Sequence, residues 1–149
     1  MNEEDKRDRQ MLELLNELRV ALPGVQILFG FLLTVPFAQG FQRVTETQKD
    51  LLYATLLATV ASTVCLIAPS ATHRLRFHKH DRGYIVESAN RYLIAGLIFL
   101  GVAIVLGLTL ITDVLYDGVV VWVVPAVIAL FVAALWFVRP LLRRESSGP

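Results

Sequence analysis

Four stretches of this chain contain no Asp, Glu, Lys, Arg or His: Val20 to Gln42, Leu51 to Thr72, Tyr92 to Thr112, and Gly118 to Val138. Each is 21 to 23 residues long. At about 1.5 Å of rise per residue, a helix of that length covers roughly 30 Å, the hydrocarbon thickness of a bilayer. A soluble fold would have to bury four such helices completely, and with 55% hydrophobic and 18% charged residues in 149 there is too little polar chain to cover them. The expected fold class is therefore all-α, a four-transmembrane-helix bundle in a single membrane domain.

The polar remainder is arranged around these runs. Residues 3–22 place Met11, Leu14, Leu15, Leu18 and Leu22 at spacings of three and four, the pattern of an amphipathic helix. Such a helix lies at the membrane surface or docks on the protein's own cytoplasmic parts. Pro23-Gly24 reads as a break before the first span, expected over about 23–42, with Pro36 kinking its last third. The second span is expected over about 51–70, stopped by Pro69-Ser70. A third helix starts after the Asp81-Arg82-Gly83 turn and runs over about 84–115, projecting beyond the membrane. The fourth span is expected over about 119–138, after a tight turn at Asp117-Gly118, and residues 145–149 form a polar tail without structure. The first twenty residues carry both charge signs and no short apolar core with a cleavage site, so the first span is expected to act as its own insertion signal.

Small side chains line two of the spans. Ala54, Ala58, Ala61 and Cys65, with Thr55, Thr59 and Ser62 beside them, and Gly96, Ala103 and Gly107 on the third helix predict close-packed seams. The hydroxyls are expected to bond backbone carbonyls or to reach across the contact.

Orientation follows from the basic residues. Twelve lie in the N-terminal segment, the segment from His73 to Arg91 and the C-terminus, against Arg43 and Lys49 in the other two connections. The positive-inside rule then places both termini and the central segment in the cytoplasm, and the chain in the cytoplasmic membrane.

The chemistry-bearing residues concentrate in that central segment. His73, His78 and His80 suggest metal ligation, but Arg74, Arg76, Lys79 and Arg82 surround them and oppose a divalent cation. Cys65 is the single cysteine, and no paired carboxylate completes a ligand set. The segment suits anionic lipid better: Arg74, Arg76, Lys79 and Arg82 each contribute about 1 kcal/mol of attraction near a charged surface. Asp113 and Asp117, four apart, read as interfacial polarity. A second polar set, Asn16, Glu17 and Arg19 on the first helix with Glu87, Asn90 and Arg91 on the third, is expected to form a cytoplasmic interaction surface. A net charge of +1 offers nothing to nucleic acid. No nucleophile–base pair, nucleotide loop or metal set appears, so neither an enzyme nor a cofactor is expected. The partners expected are membrane lipids and either further copies of the chain or another membrane protein.

The patterns Leu15-Asn16-Glu17-Leu18-Arg19-Val20-Ala21-Leu22-Pro23-Gly24-Val25-Gln26, Leu33-Thr34-Val35-Pro36-Phe37, Ile67-Ala68-Pro69 before His73-Arg74, and Glu87-Ser88-Ala89-Asn90-Arg91 carry a resemblance. Over about Leu12 to Trp136 the chain resembles a family of small bacterial four-helix integral membrane proteins of unknown function, some of which carry a sodium/proton antiporter label. The resemblance implies the same fold and location, and no established catalytic or binding residue comes with it. A structural or regulatory membrane protein is thus the leading expectation, and a small oligomeric transporter or channel the other.

Overall fold

The computed structural model describes residues 3–75 and 82–138. Four helices follow one another: α1 (Glu3–Thr34), α2 (Glu46–Leu75), α3 (Arg82–Leu115) and α4 (Val120–Ala133). There is no strand among the described residues. Three helices are long and apolar enough to cross a membrane, over Asn16–Phe37, Glu46–Ala71 and Ser88–Leu115. The fourth apolar helix is shorter, with an apolar stretch over Val120–Trp136, and α4 passes into a π turn over Ala134–Val138.

The amphipathic segment and the first span are one helix. The expected break at Pro23-Gly24 is absent, and α1 continues through Pro23 for 32 residues. Pro23 forfeits only the bond its N–H would make to the Arg19 carbonyl, and its ring lies on the exposed side. The buried stripe keeps its phase across the proline: Leu18, Val25 and Leu32, seven apart, with Ala21 and Leu22 packed beside them. That continuous stripe holds α1 against α2 and α3.

Pro36 ends this helix instead of kinking it. Proline disfavours the helical conformation in the residue before it, so α1 stops at Thr34 and a 3-10 turn takes over at Val35–Phe37. The Thr34 hydroxyl donates to the Phe31 carbonyl at 2.7 Å, satisfying one end group. The extended residues Ala38 and Val44 flank a second 3-10 turn, Phe41–Arg43, and lead the chain to α2.

The second helix starts five residues before its expected first residue, Leu51, because Thr45-Glu46-Thr47-Gln48 is a capping box. The Gln48 N–H donates to Thr45 Oγ1 at 3.2 Å and the Thr45 N–H to Gln48 Oε1 at 3.0 Å. It also ends later, running through the buried Pro69 to Leu75, so the expected stop at Pro69-Ser70 is not there. One lost bond, to the Cys65 carbonyl, does not unwind a helix whose other groups are paired and whose flank is packed. Replacing Thr45 by alanine is expected to cost about 1 kcal/mol. Gln48→Ala, which also severs a contact to α3 described below, should cost more. Thermal unfolding of the two variants in detergent measures the difference.

The third helix is the centre of the arrangement, in contact with α1, α2 and α4, whereas among the described residues α4 touches α3 and neither α1 nor α2. Its 34 residues span roughly 50 Å, beyond the hydrocarbon thickness, as the sequence leads one to expect. At its end Gly118, with φ +80°, takes the left-handed conformation that reverses the chain into α4.

Candidate functional site

Three polar places stand out. The first is the seam between α2 and α3. Thr55, Thr59 and Ser62 are fully buried on one stripe of α2, with Ala58 and Leu66 along it, and Thr112 is buried on α3. Each hydroxyl has a partner. Thr55 donates to the Leu51 carbonyl at 2.7 Å, Thr59 to Thr55 at 2.8 Å, and Thr112 to Leu108 at 2.7 Å, all within their own helix. Ser62 instead crosses to the Gly96 carbonyl of α3 at 2.8 Å. Gly96 and Gly107 permit this approach: a Cβ on Gly96 would stand 2.7 Å from Leu66 Cγ and Cδ2, and one on Gly107 3.5 Å from Thr55 Cγ2. Of the small residues that the sequence singles out on α2, Ala58, Thr55, Thr59 and Ser62 are buried in the stripe, while Ala54, Ala61 and Cys65 are only half-buried beside it. With every hydroxyl proton engaged, this seam is a packing contact.

The second place is at the α2 start and α3 end. Gln48 uses its oxygen in the cap and its amide nitrogen to donate to Asp113 Oδ2 at 2.9 Å, a partly buried bond. The half-buried Asp113 is therefore engaged with α2, while Asp117 is exposed. Among the described residues no three His, Cys, Asp or Glu side chains come together as a metal site would require. Sequence reading missed the Gln48–Asp113 contact; the signal within reach was Thr45-x-x-Gln48, which orients the glutamine.

The third place is at the opposite end. Leu18 of α1 and Leu93 of α3 belong to one buried cluster with Val25 and Leu66. Beside Leu18, Asn16, Glu17 and Arg19 are exposed, and so are Asn90 and Arg91 before Leu93. Glu87 lies one turn earlier in α3. The two polar sets thus sit on helices joined through a common apolar cluster. Of the basic segment, His73 and Arg74 are in the last turn of α2 and Arg82 begins α3. Arg76, His78, Lys79 and His80 lie outside the described residues, as does the tail 145–149.

These features define a helical membrane protein whose inner contacts are small-residue and hydroxyl packing. The chain belongs to DUF6328, a family of unknown function, which matches residues 2–140. No curated protein and no solved structure matches it.

Proposed function

We propose that this is a non-enzymatic, four-span protein of the cytoplasmic membrane with a structural or regulatory role. Both termini and the central segment are cytoplasmic in this reading, and α4 with its π turn makes the fourth crossing. The partner-contacting surface is formed by Asn16, Glu17 and Arg19 of α1 with Glu87, Asn90 and Arg91 of α3, and the partner is another membrane protein or a further copy of the chain. Arg74, Arg76, Lys79 and Arg82 hold the neighbouring segment to anionic headgroups.

The observation that carries this reading is the burial of Leu18 in a cluster with Leu93 while the polar residues around both stay exposed. In this reading the apolar contact brings the helices that carry the two polar sets together near the membrane edge, where exposed Asn16, Glu17, Arg19 and Asn90 can face a partner. In a Cys65→Ser background, cysteine pairs at Asn16 and Asn90, and at Arg19 and Asn90, are expected to crosslink. Failure of both pairs would remove the shared surface. Orientation is read by reporter fusions after Gly148 and within Asp113 to Gly118, the first expected to report cytoplasm and the second the opposite side.

Ion-coupled transport is not expected of the isolated chain. A carboxylate held at mid-membrane depth is the usual carrier of the coupled charge, and the four uncharged stretches contain none. Purified protein in liposomes with an internal pH dye should give no sodium-dependent pH change above empty vesicles. A change abolished by replacing Thr34 or Gln39 would install a transporter in place of this reading.

A further inference from the structure

Between the end of α1 and the start of α2 lies a cavity of about 320 Å³ with a polar end and an apolar end. Leu32, Leu33 and Pro36 form its α1 wall, Phe41 of the connecting turn closes one side, and Lys49, Asp50, Leu52, Tyr53 and Leu56 form its α2 wall. Along α2 the lining changes from charged at Lys49 and Asp50 to aliphatic at Leu52 and Leu56, over about 10 Å of helix rise. The crevice between α3 and α4, also about 320 Å³, has no such gradient, being lined by Val, Ile, Leu, Ala and Gly. A cavity that is apolar in depth and ionic at its mouth has the polarity profile of one lipid chain and its headgroup.

We propose that this cavity seats one phospholipid with a phosphoethanolamine headgroup, from the leaflet in which the α1–α2 turn lies. Lys49 and Asp50 give the mouth one charge of each sign, which complements a zwitterion rather than an anionic lipid. The Lys49 ammonium spends one donor on Glu46 Oε1 at 2.7 Å, an exposed pair that a phosphate oxygen can join or replace. Among the described residues the Asp50 carboxylate has neither hydrogen bond nor ion pair, and, exposed, it can accept from the lipid ammonium. A choline headgroup carries the same charge but no N–H, so the carboxylate contact discriminates the two by hydrogen bonding. In this arrangement the lipid chain enters between Leu32 and Leu56, which line the cavity beyond Lys49 and Asp50.

The test is native mass spectrometry of the full chain in mild detergent, loaded with equal amounts of phosphatidylethanolamine, phosphatidylcholine and phosphatidylglycerol of matched chains. The intact protein is expected to retain one phosphatidylethanolamine at about tenfold preference over phosphatidylcholine, the ratio of a charge-assisted hydrogen bond. Asp50→Asn, a substitution at an exposed position, should abolish that preference, and Leu56→Trp should abolish retention of all three lipids; melting curves taken in parallel establish that both variants are folded. Equal retention of the ethanolamine and choline lipids by the unaltered chain, a preference surviving in Asp50→Asn, or an unchanged lipid count in folded Leu56→Trp would each overturn the proposal. Should Leu56→Trp fail to fold, Asp50→Asn and the lipid ratios of the unaltered chain decide it alone.

Discussion

Gly96→Ala is expected to lower the unfolding free energy in detergent by about 1 to 3 kcal/mol, the cost of overpacking a tight contact. The added methyl would fall 2.7 Å from two atoms of Leu66, a side chain with 0% exposure and no room to retreat. The same displacement would stretch the Ser62 hydroxyl bond to the Gly96 carbonyl, so packing and hydrogen bonding fail together. Alanine at Gly24 or Gly30 meets nothing within 4 Å and should instead stabilise by about 0.5 to 1 kcal/mol through the lower chain entropy of the unfolded state. Gly101→Ala falls between, since its methyl would approach Val132 Cγ1 at 3.3 Å. The ordering is checked by denaturant titration of the four variants. A double variant, Gly96→Ala with Leu66→Ala, should cost less than the sum of its parts because the smaller partner makes room. Additivity in that cycle would show that the clash is relieved elsewhere.

The same seam shows how far the sequence carries. Charge-free length was enough to find three helices long and apolar enough to cross a membrane and a shorter fourth, and small residues were enough to name the two helices that pack most closely. Which members of that seam point inward was not legible, because Ala54 and Ala61 are as small as the residues beside them and periodicity cannot rank them. Burial ranks them: the helix turns Thr55, Thr59 and Ser62 inward because their hydroxyls can be satisfied there by carbonyls one turn back or across the contact. Helix ends were read less well for a shared reason. Pro23 and Pro69 signal stops in water, where a freed carbonyl is solvated and the coil competes. Within an apolar environment the coil exposes more unpaired groups than the proline does, so both helices continue. Pro36 does end its helix, at a point where polar residues follow and the backbone has other partners. The Gln48–Asp113 bond joins residues 65 apart, a separation that no local pattern encodes.

Truncating Leu18, Val25 and Leu32 together to alanine should release α1 from the rest of the fold. Among the residues of α1 whose burial is described these three are almost wholly buried, at 2%, 0% and 8% exposure, and their seven-residue spacing sets them on one stripe. Each truncation leaves a cavity where helices meet, and such substitutions of leucine cost about 2 to 5 kcal/mol apiece, so the triple change removes more than α1 can lose. Truncating Val20, Ile27 and Phe31 is the matched control: they lie on the same helix at 80%, 63% and 67% exposure, and no neighbouring helix is left with a void. Thermal melting in detergent should therefore show a large loss for the first set and little change for the second. Crosslinking from Asn16 to Asn90 in a Cys65→Ser background supplies the geometric readout, expected to disappear with the buried set and persist with the exposed one. Equal loss in both sets would mean that α1 is held by overall hydrophobicity rather than by this stripe, and would reassign Pro23 from a tolerated position within one helix to the hinge its sequence context suggests.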